Sequence, residues 1–302
     1  MPKLSVIGAG NVGATCAQRL VEKDLGDVVL VDIIEGIPQG KALDIYQSAS
    51  IEGFSSQITG TNDFSEIKDS DVVVVTAGLA RKPGMTREDL LRKNAAIITA
   101  VCENIKKYAP NSIIIMVSNP LDVMTQLAMK VTGFDPKRVV GMAGMLDSAR
   151  LSAFIAMEAG CKPSEVSAMI LGSHGDSMVT IKSQITVKGK LWSNDKLDAL
   201  IERAKNGGAE IVAHLKTGSA FYAPSSGAAF MVEQIIKDKK DLIPCTCYLT
   251  GQYGLSNVYI GVPCRLGEKG IAEIVEIDLN NDELATLQKS ANIVRQNFAL
   301  LL

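Results

Sequence analysis

The chain has two histidines and one tryptophan in 302 residues. Its longest apolar runs, "DVVVVTAGLA" and "SIIIMV", fall far short of the roughly 20 residues a spanning helix needs, so no membrane role is expected. A net charge of −2 without a basic tract gives nucleic acid nothing to hold. The opening "MPKLSVIG" enters a strand-like run at once, without a charged region ahead of an apolar one. No secretory signal is therefore expected, and a cytoplasmic location is. Six cysteines are scattered along the chain, and only Cys245 and Cys247 are close. A C-x-C without a nearby histidine or further cysteine is a poor zinc pattern, so free thiols and no metal are expected. Linkers, low-complexity segments and internal repeats are also missing.

What is present is a globular composition, 47% hydrophobic and 21% charged, in a chain long enough for two domains. Up to about residue 144, apolar runs alternate with helical patterns. "KLSVIGAG", "DVVLVDI", "DVVVVTAG", "SIIIMVSNP" and "RVVGMAG" read as strands. Between them, "NVGATCAQRLVEK", "GKALDIYQSA", "REDLLRKNAAIITAVCENIKKYA" and "LDVMTQLAMKVTG" read as helices. Unbroken Val/Ile runs indicate strands buried on both faces, as in a parallel sheet. The alternation predicts an α/β fold, a Rossmann-type doubly wound sheet over residues 1–144.

From about 145 to 302 the texture changes to α+β. "LDSARLSAFIAMEAG" predicts a helix, and "TIKSQITVKGKLW" a hairpin around a Lys-Gly turn. Two helical patterns follow, through "DALIERAKNGGAEIVAHL" and "SGAAFMVEQIIKDKK". "YLTGQYGLSNVYIGVPCRLGEKGIAEIVEI" alternates as antiparallel strands do, and Asn280 with Glu283 predicts a capping box for a last helix.

Three features carry chemistry. "VIGAGNVG" sets Gly8, Gly10 and Gly13 as G-x-G-x-x-G between a strand and a helix. In that context the glycines permit a tight turn, approach of a pyrophosphate, and close helix packing. The predicted cradle comprises Gly8, Ala9, Gly10, Asn11, Val12 and Gly13. Asp32 ends the second strand, where an acid accepts hydrogen bonds from a ribose and repels a 2′-phosphate, favouring NAD over NADP. Secondly, His174 follows a strand in "ILGSHGDS", among small residues that let a ligand approach; His214 sits in a helical pattern and is expected only to pack there. "MLDSAR" puts Asp147 and Arg150 on one helix face. The carboxylate can fix a histidine tautomer, and the guanidinium can grip a carboxylate with two hydrogen bonds. Taken alone, such a pair is more often a surface salt bridge; at the junction of the two halves it could instead line a cleft. Thirdly, "LARKPGMTREDLLRK" carries five cations against two acids after a buried strand, which suggests a small-anion loop.

"GAGNVG", "VSNPLDV", "GMLDSAR", "GSHGD" and "TGQYGL" stand in one order along the chain. In this it resembles the lactate/malate dehydrogenase family over essentially its whole length. The resemblance implies an NAD-dependent oxidoreductase that moves a hydride between a 2-hydroxy acid and the cofactor. His174 would accept the proton and Asp147 orient it. Arg150 would bind the C1 carboxylate, and Asn119 the reacting oxygen. Val117, Ser118 and Asn119 would touch the cofactor, with Asn94 near the nicotinamide. Arg87 would close over the substrate. Arg81 stands where malate enzymes carry arginine and lactate enzymes glutamine, which implies the dicarboxylate pair malate/oxaloacetate; lactate or another 2-hydroxy acid is the alternative. A homodimer or homotetramer is implied too. Two rivals remain at this level, a metal-dependent NAD glycosidase and a non-catalytic NAD-binding protein.

Overall fold

The computed structural model describes residues 1–79 and 86–301. Its first half runs β1 (Lys3–Ile7), α1 (Asn11–Glu22), β2 (Asp27–Val31), α2 (Ile37–Gln47), α3 (Ala49–Glu52), β3 (Ile58–Thr61), β4 (Val72–Val75), α4 (Arg87–Tyr108), β5 (Ile113–Met116), α5 (Leu121–Thr132) and β6 (Val139–Gly141). The strands lie in the order β3-β2-β1-β4-β5-β6, all parallel. Val72–Val75 and Ile113–Met116 are buried throughout, as unbroken apolar runs covered on both faces must be. The order reverses direction between β1 and β4. All strand ends that follow β1, β2, β4 and β5 therefore open on one edge of the sheet, where a crevice forms.

The second half continues with α6 (Ala143–Ala159), β7 (Val166–Ser167), β8 (Ile170–Gly172), β9 (Met178–Thr180), β10 (Thr186–Val187), β11 (Lys190–Leu191), α7 (Leu197–Leu215), α8 (Tyr222–Ile236), β12 (Leu242–Thr250), β13 (Ser256–Gly267), β14 (Gly270–Ile274) and α9 (Asn281–Ala299). Strands β12, β13, β8 and β9 extend the parallel sheet in antiparallel fashion, joined to it by the pair Thr246–Gly141. The architecture is a parallel Rossmann-like sheet followed by an antiparallel C-terminal half, as expected. The β10–β11 hairpin turns at Lys188 and Gly189, both at positive φ. The Asn280–Glu283 capping box opens α9.

Two elements start earlier than their patterns suggest. Helix α8 begins at Tyr222, ahead of the apolar run, with Pro224 in its first turn, where a missing N–H costs nothing. Strand β12 begins at Leu242 although Pro244 interrupts the sequence. Pro244 faces Pro263 directly across the ladder, so two residues without an N–H share one non-hydrogen-bonded pair.

A large core runs from the parallel sheet through β12, β13 and α9. A smaller one packs Leu151 and Ile155 of α6 against Ile170, Leu200 and Ile201. Helix α6 thus lies between two cores, which fixes the residues it carries on its remaining face.

Candidate active site

The glycine loop leaves β1 at Gly8, whose φ of 103° is a left-handed conformation only glycine adopts cheaply. A Cβ on Gly13 would be driven into the carbonyl oxygen of Gly8, so α1 and the loop touch backbone to backbone. A Cβ on Gly10 would meet no protein atom within 4 Å. Open space above a glycine that caps a helix N-terminus, with no side chain capping it, is a cradle shaped for an anion. Ala9 lies between them, fully buried. Its N–H donates to Asp32 Oδ2 at 2.6 Å, and its carbonyl accepts from Lys41 Nζ at 2.7 Å. Asn11 and Val12 form the first turn of α1. Asp32 Oδ1 also accepts from Ile34 N at 3.0 Å. A carboxylate has about four lone-pair positions, so Asp32 keeps capacity for a ribose hydroxyl. The residues present fit a dinucleotide.

On the next strand ends, Val117 is partly buried and Ser118 donates its hydroxyl to Ala77 O at 2.6 Å. Asn119 is exposed and lines the cleft. Asn94, expected beside the nicotinamide, is 1% exposed. Its Oδ1 accepts from Leu79 N at 2.8 Å, and its Nδ2 donates to Leu79 O and to Asn119 O, the latter at 2.7 Å. The amide is spent on backbone, and its reach into the cleft runs through Leu79 and Asn119.

Across the cleft, His174 Nδ1 lies 2.8 Å from Asp147 Oδ2. Asp147 Oδ1 lies 3.6 Å from Arg150 Nη1. Donation from Nδ1–H to the carboxylate leaves Nε2 facing the cleft with no partner among the described residues. Burial would lower the His174 pKa. The charge and hydrogen bond of Asp147, helped by the charge of Asp122, outweigh it and raise the imidazole above its ordinary value. Burial is also the main influence on Arg150, lowering its pKa against the pull of Asp147. Its Nε is buried, with no hydrogen-bond partner among the described residues. His174, Asp147, Arg150, Asn119 and Val12 line one cleft of about 370 Å³. Arg81 lies outside the described residues; Arg87 opens α4, with its side chain outside them too.

Sequence reasoning missed several supports. Asp122 of α5 is buried behind His174, accepting from His174 N at 3.0 Å and from Thr246 Oγ1 at 2.8 Å. Gly207 sits mid-helix in α7, where a Cβ would stand 3.2 Å from Arg150 Cδ. The "NGG" of α7 was a visible oddity, since glycine costs a helix interior about 1 kcal/mol. Lys41 and Asp122 left no such mark. Ser225, given no role, has its Oγ 2.7 Å from Val12 O, bridging α8 to the start of α1.

A dinucleotide cradle, whose Val12 shares a cleft with a His–Asp pair and a buried arginine, defines a dinucleotide-dependent enzyme site. Comparison with known proteins narrows the class. The NAD-binding domain of lactate/malate dehydrogenases matches residues 2–141, and the family's alpha/beta C-terminal domain matches residues 144–301. The chain belongs to the lactate/malate dehydrogenase family, NAD-dependent oxidoreductases acting on a CH–OH group. It is 55% identical to the malate dehydrogenase of Chlorobium luteolum over 98% of this chain and 97% of that one. The apo malate dehydrogenase of Picrophilus torridus superposes with a TM-score of 0.96 at 44% identity, over 99% and 97% of the two chains. A lactate dehydrogenase of Cryptosporidium parvum, solved with lactic acid and NAD, gives 0.95 at 41% identity over 99% and 98%.

Proposed function

We propose that the chain is an NAD-dependent malate dehydrogenase interconverting (S)-malate and oxaloacetate. The observation that carries the reading is the Asp147–His174 pair beside Arg150, in one cleft with Val12 of the glycine loop. The malate dehydrogenases among its full-length relatives favour malate over lactate.

Bound between these residues, NAD would supply or accept the hydride exchanged with C2 of the substrate. Every other task falls to the chain. Gly8 to Gly13 hold the pyrophosphate at the start of α1, and Asp32 takes the ribose. Val117 and Ser118 border the nicotinamide side, while Asn94 shapes it through the Asn119 carbonyl. Arg150 fixes the C1 carboxylate, and Asn119 donates to the reacting oxygen. In the reducing direction, His174 gives the Nε2 proton to the carbonyl oxygen as C2 is reduced. In the oxidising direction, neutral His174 takes that proton back. Asp147 holds the tautomer and stabilises the imidazolium. Arg87 adds positive charge at the carbonyl; a preorganised donor of this kind is worth about 3 kcal/mol. Arg81 pairs the second carboxylate and, left unpaired by a methyl group, disfavours pyruvate.

The catalytic half is assigned to residues 145–302, and the cofactor half to residues 1–144. We expect a homodimer or homotetramer in the cytoplasm. Leu43, Tyr46 and Ile51 on α2 and α3 are exposed apolar side chains that a second copy would cover. Light scattering tests the assembly. The activity is tested by NADH oxidation with oxaloacetate, with pyruvate, and with NADPH in place of NADH. Turnover preferring oxaloacetate and NADH is expected; equal rates with pyruvate would refute the substrate assignment.

A further inference from the structure

Behind His174 stands a carboxylate with no part in the mechanism above. Asp122, in the first turn of α5, is 3% exposed. Its Oδ2 accepts the backbone N–H of His174 at 3.0 Å, and its Oδ1 accepts the Thr246 hydroxyl at 2.8 Å. These two bonds span the seam of the molecule. Helix α5 belongs to the parallel half, and the His174 loop and β12 to the other. Thr246 is also the residue that pairs with Gly141, where the two parts of the sheet join. A buried acid is costly unless paired or hydrogen-bonded, and both its oxygens are committed here to one loop and one strand. The carboxylate faces the main chain of the residue whose other flank is held by Asp147.

We propose that Asp122 is a positioning residue for proton transfer: it anchors the His174 loop across the seam and adds a second negative charge behind the imidazole. Among the described residues, the charged groups around His174 include Asp147 and Arg150 from α6, Asp122 from α5, Asp176 two positions on in the same loop and, on the wall of the same cleft, Lys205 from α7. Asp147 holds the ring and Asp122 holds the backbone, so orientation and charge are both supplied from two sides. Burial is the largest influence on Asp122 and on balance raises its pKa; the hydrogen bonds it accepts from Thr246, the His174 N–H and Ser173, with the nearby imidazole, pull the other way and limit the rise. The inference rests on His174 being the proton-transfer residue.

With only His174 and His214 in the chain, the imidazoles can be titrated directly by NMR in the full-length protein, His214→Gln assigning the two signals. Asp122→Asn removes the charge, keeps one acceptor oxygen and sets an amide N–H₂ against the other of the two donors. It should lower the His174 midpoint by roughly half to one pH unit and leave His214 in place. With oxaloacetate, kcat should fall about tenfold or more, the NADH KM staying unchanged and the pH limb moving with the NMR midpoint. Thr246→Val, which strips Asp122 of one donor, should shift His174 in the same direction, and Thr246→Ser should restore it; this pair decides if Asp122→Asn does not fold. A His174 midpoint unmoved in Asp122→Asn, or in Thr246→Val when the first variant fails to fold, overturns the proposal. A loss of thermal stability without that shift would mark Asp122 as structural only, which also overturns it. The NMR readout needs no substrate, so a wild-type protein inert toward oxaloacetate would refute the proposed function while leaving the coupling measurable.

Discussion

The two walls of the proposed site, a glycine cradle for the cofactor and a catalytic cluster in the cleft, are made of different material. The cofactor wall is mostly backbone: Gly8, Gly10 and Gly13 matter because they lack a Cβ, and Asp32 and Lys41 pin Ala9 between them. The catalytic wall is made of side chains, with Asp147, Arg150 and His174 held at fixed distances by elements packed between two cores. Backbone walls fail by collision, and side-chain walls fail by loss of a charge or a hydrogen bond. Substitutions on the two sides should therefore change different measured quantities.

The largest effect should come from the catalytic wall. His174→Asn should lower kcat about 10²–10⁴-fold, the range for a general acid–base residue, while NADH binding measured by fluorescence stays near wild type. Asp147→Asn separates tautomer and charge from the imidazole itself. In wild type, oxaloacetate reduction needs the protonated imidazole, so its rate falls as pH rises through the raised His174 pKa. Malate oxidation needs the neutral form and falls as pH drops. Removing the Asp147 charge lowers that pKa, so both limbs should move to lower pH. Unmoved limbs would break the assignment of Asp147 as the partner that tunes His174.

The cofactor wall should respond next, in two distinct ways. Gly13→Ala collides with backbone at Gly8, so it should cost about 1–3 kcal/mol of stability, as overpacking does, and weaken NADH together. Gly10→Ala meets no protein atom. Thermal stability should change by less than about 1 kcal/mol, yet NADH affinity should fall at least about tenfold, because the methyl group occupies the anion's space. If Gly10→Ala bound NADH normally, the cradle assignment would be lost.

The same contrast explains what the sequence made legible. A glycine pattern between a strand and a helix reports a backbone requirement directly, so the cradle and Asp32 could be read from order and spacing. The Val and Ile runs reported burial on both faces, and the parallel sheet followed. The catalytic pair was visible because histidine is scarce and "LDSAR" sets an acid and an arginine on one face. That pattern more often describes a surface salt bridge, and only packing distinguishes the two. Asp122 and Lys41 were hidden because an ordinary acid and an ordinary lysine mark no period; the contacts that matter are 52 and 32 positions away in sequence. Asn94 shows the reverse case. Its position next to the cleft was legible, but the commitment of its amide to backbone was not.

A smaller effect tests the support behind the catalytic wall. Gly207→Ala should stabilise α7 by up to about 1 kcal/mol, since alanine is the better helix former. The new Cβ would press on Arg150 Cδ from 3.2 Å. Arg150 must then yield by a few tenths of an ångström, and the KM for oxaloacetate should rise several-fold with the NADH KM unchanged. A raised melting temperature with an unchanged substrate KM would show that Arg150 has slack the structure does not suggest.

The smallest effect on activity lies far from the cleft, on the contact that fastens α1, the helix that opens the cradle, to α8. Glu233 of α8 is 7% exposed and meets three lysines. Lys23, at the end of α1, is 2.6 Å away, and Lys239 and Lys237 approach from the other side at 2.6 and 3.4 Å. The hydrogen bonds from Lys23 and Lys239 lead in lowering its pKa from 4.5 to about 2. A depressed carboxyl contributes stability that is complete above its unfolded pKa and disappears as pH falls through the folded one. The window is therefore about pH 4.5 down to about 2. The shift alone would correspond to about 3 kcal/mol, but the lysines are 39 to 48% exposed and screened by water, which leaves about 1–2 kcal/mol. Glu233→Gln should lower the melting temperature at pH 7, and the gap to wild type should narrow as pH falls below about 4.5. A gap constant from pH 7 down to about pH 2 would show that Glu233 acts through packing. Because Lys23 ends the cradle helix, a weaker NADH affinity in this variant at pH 7 would show that the cofactor wall depends on a side-chain contact after all.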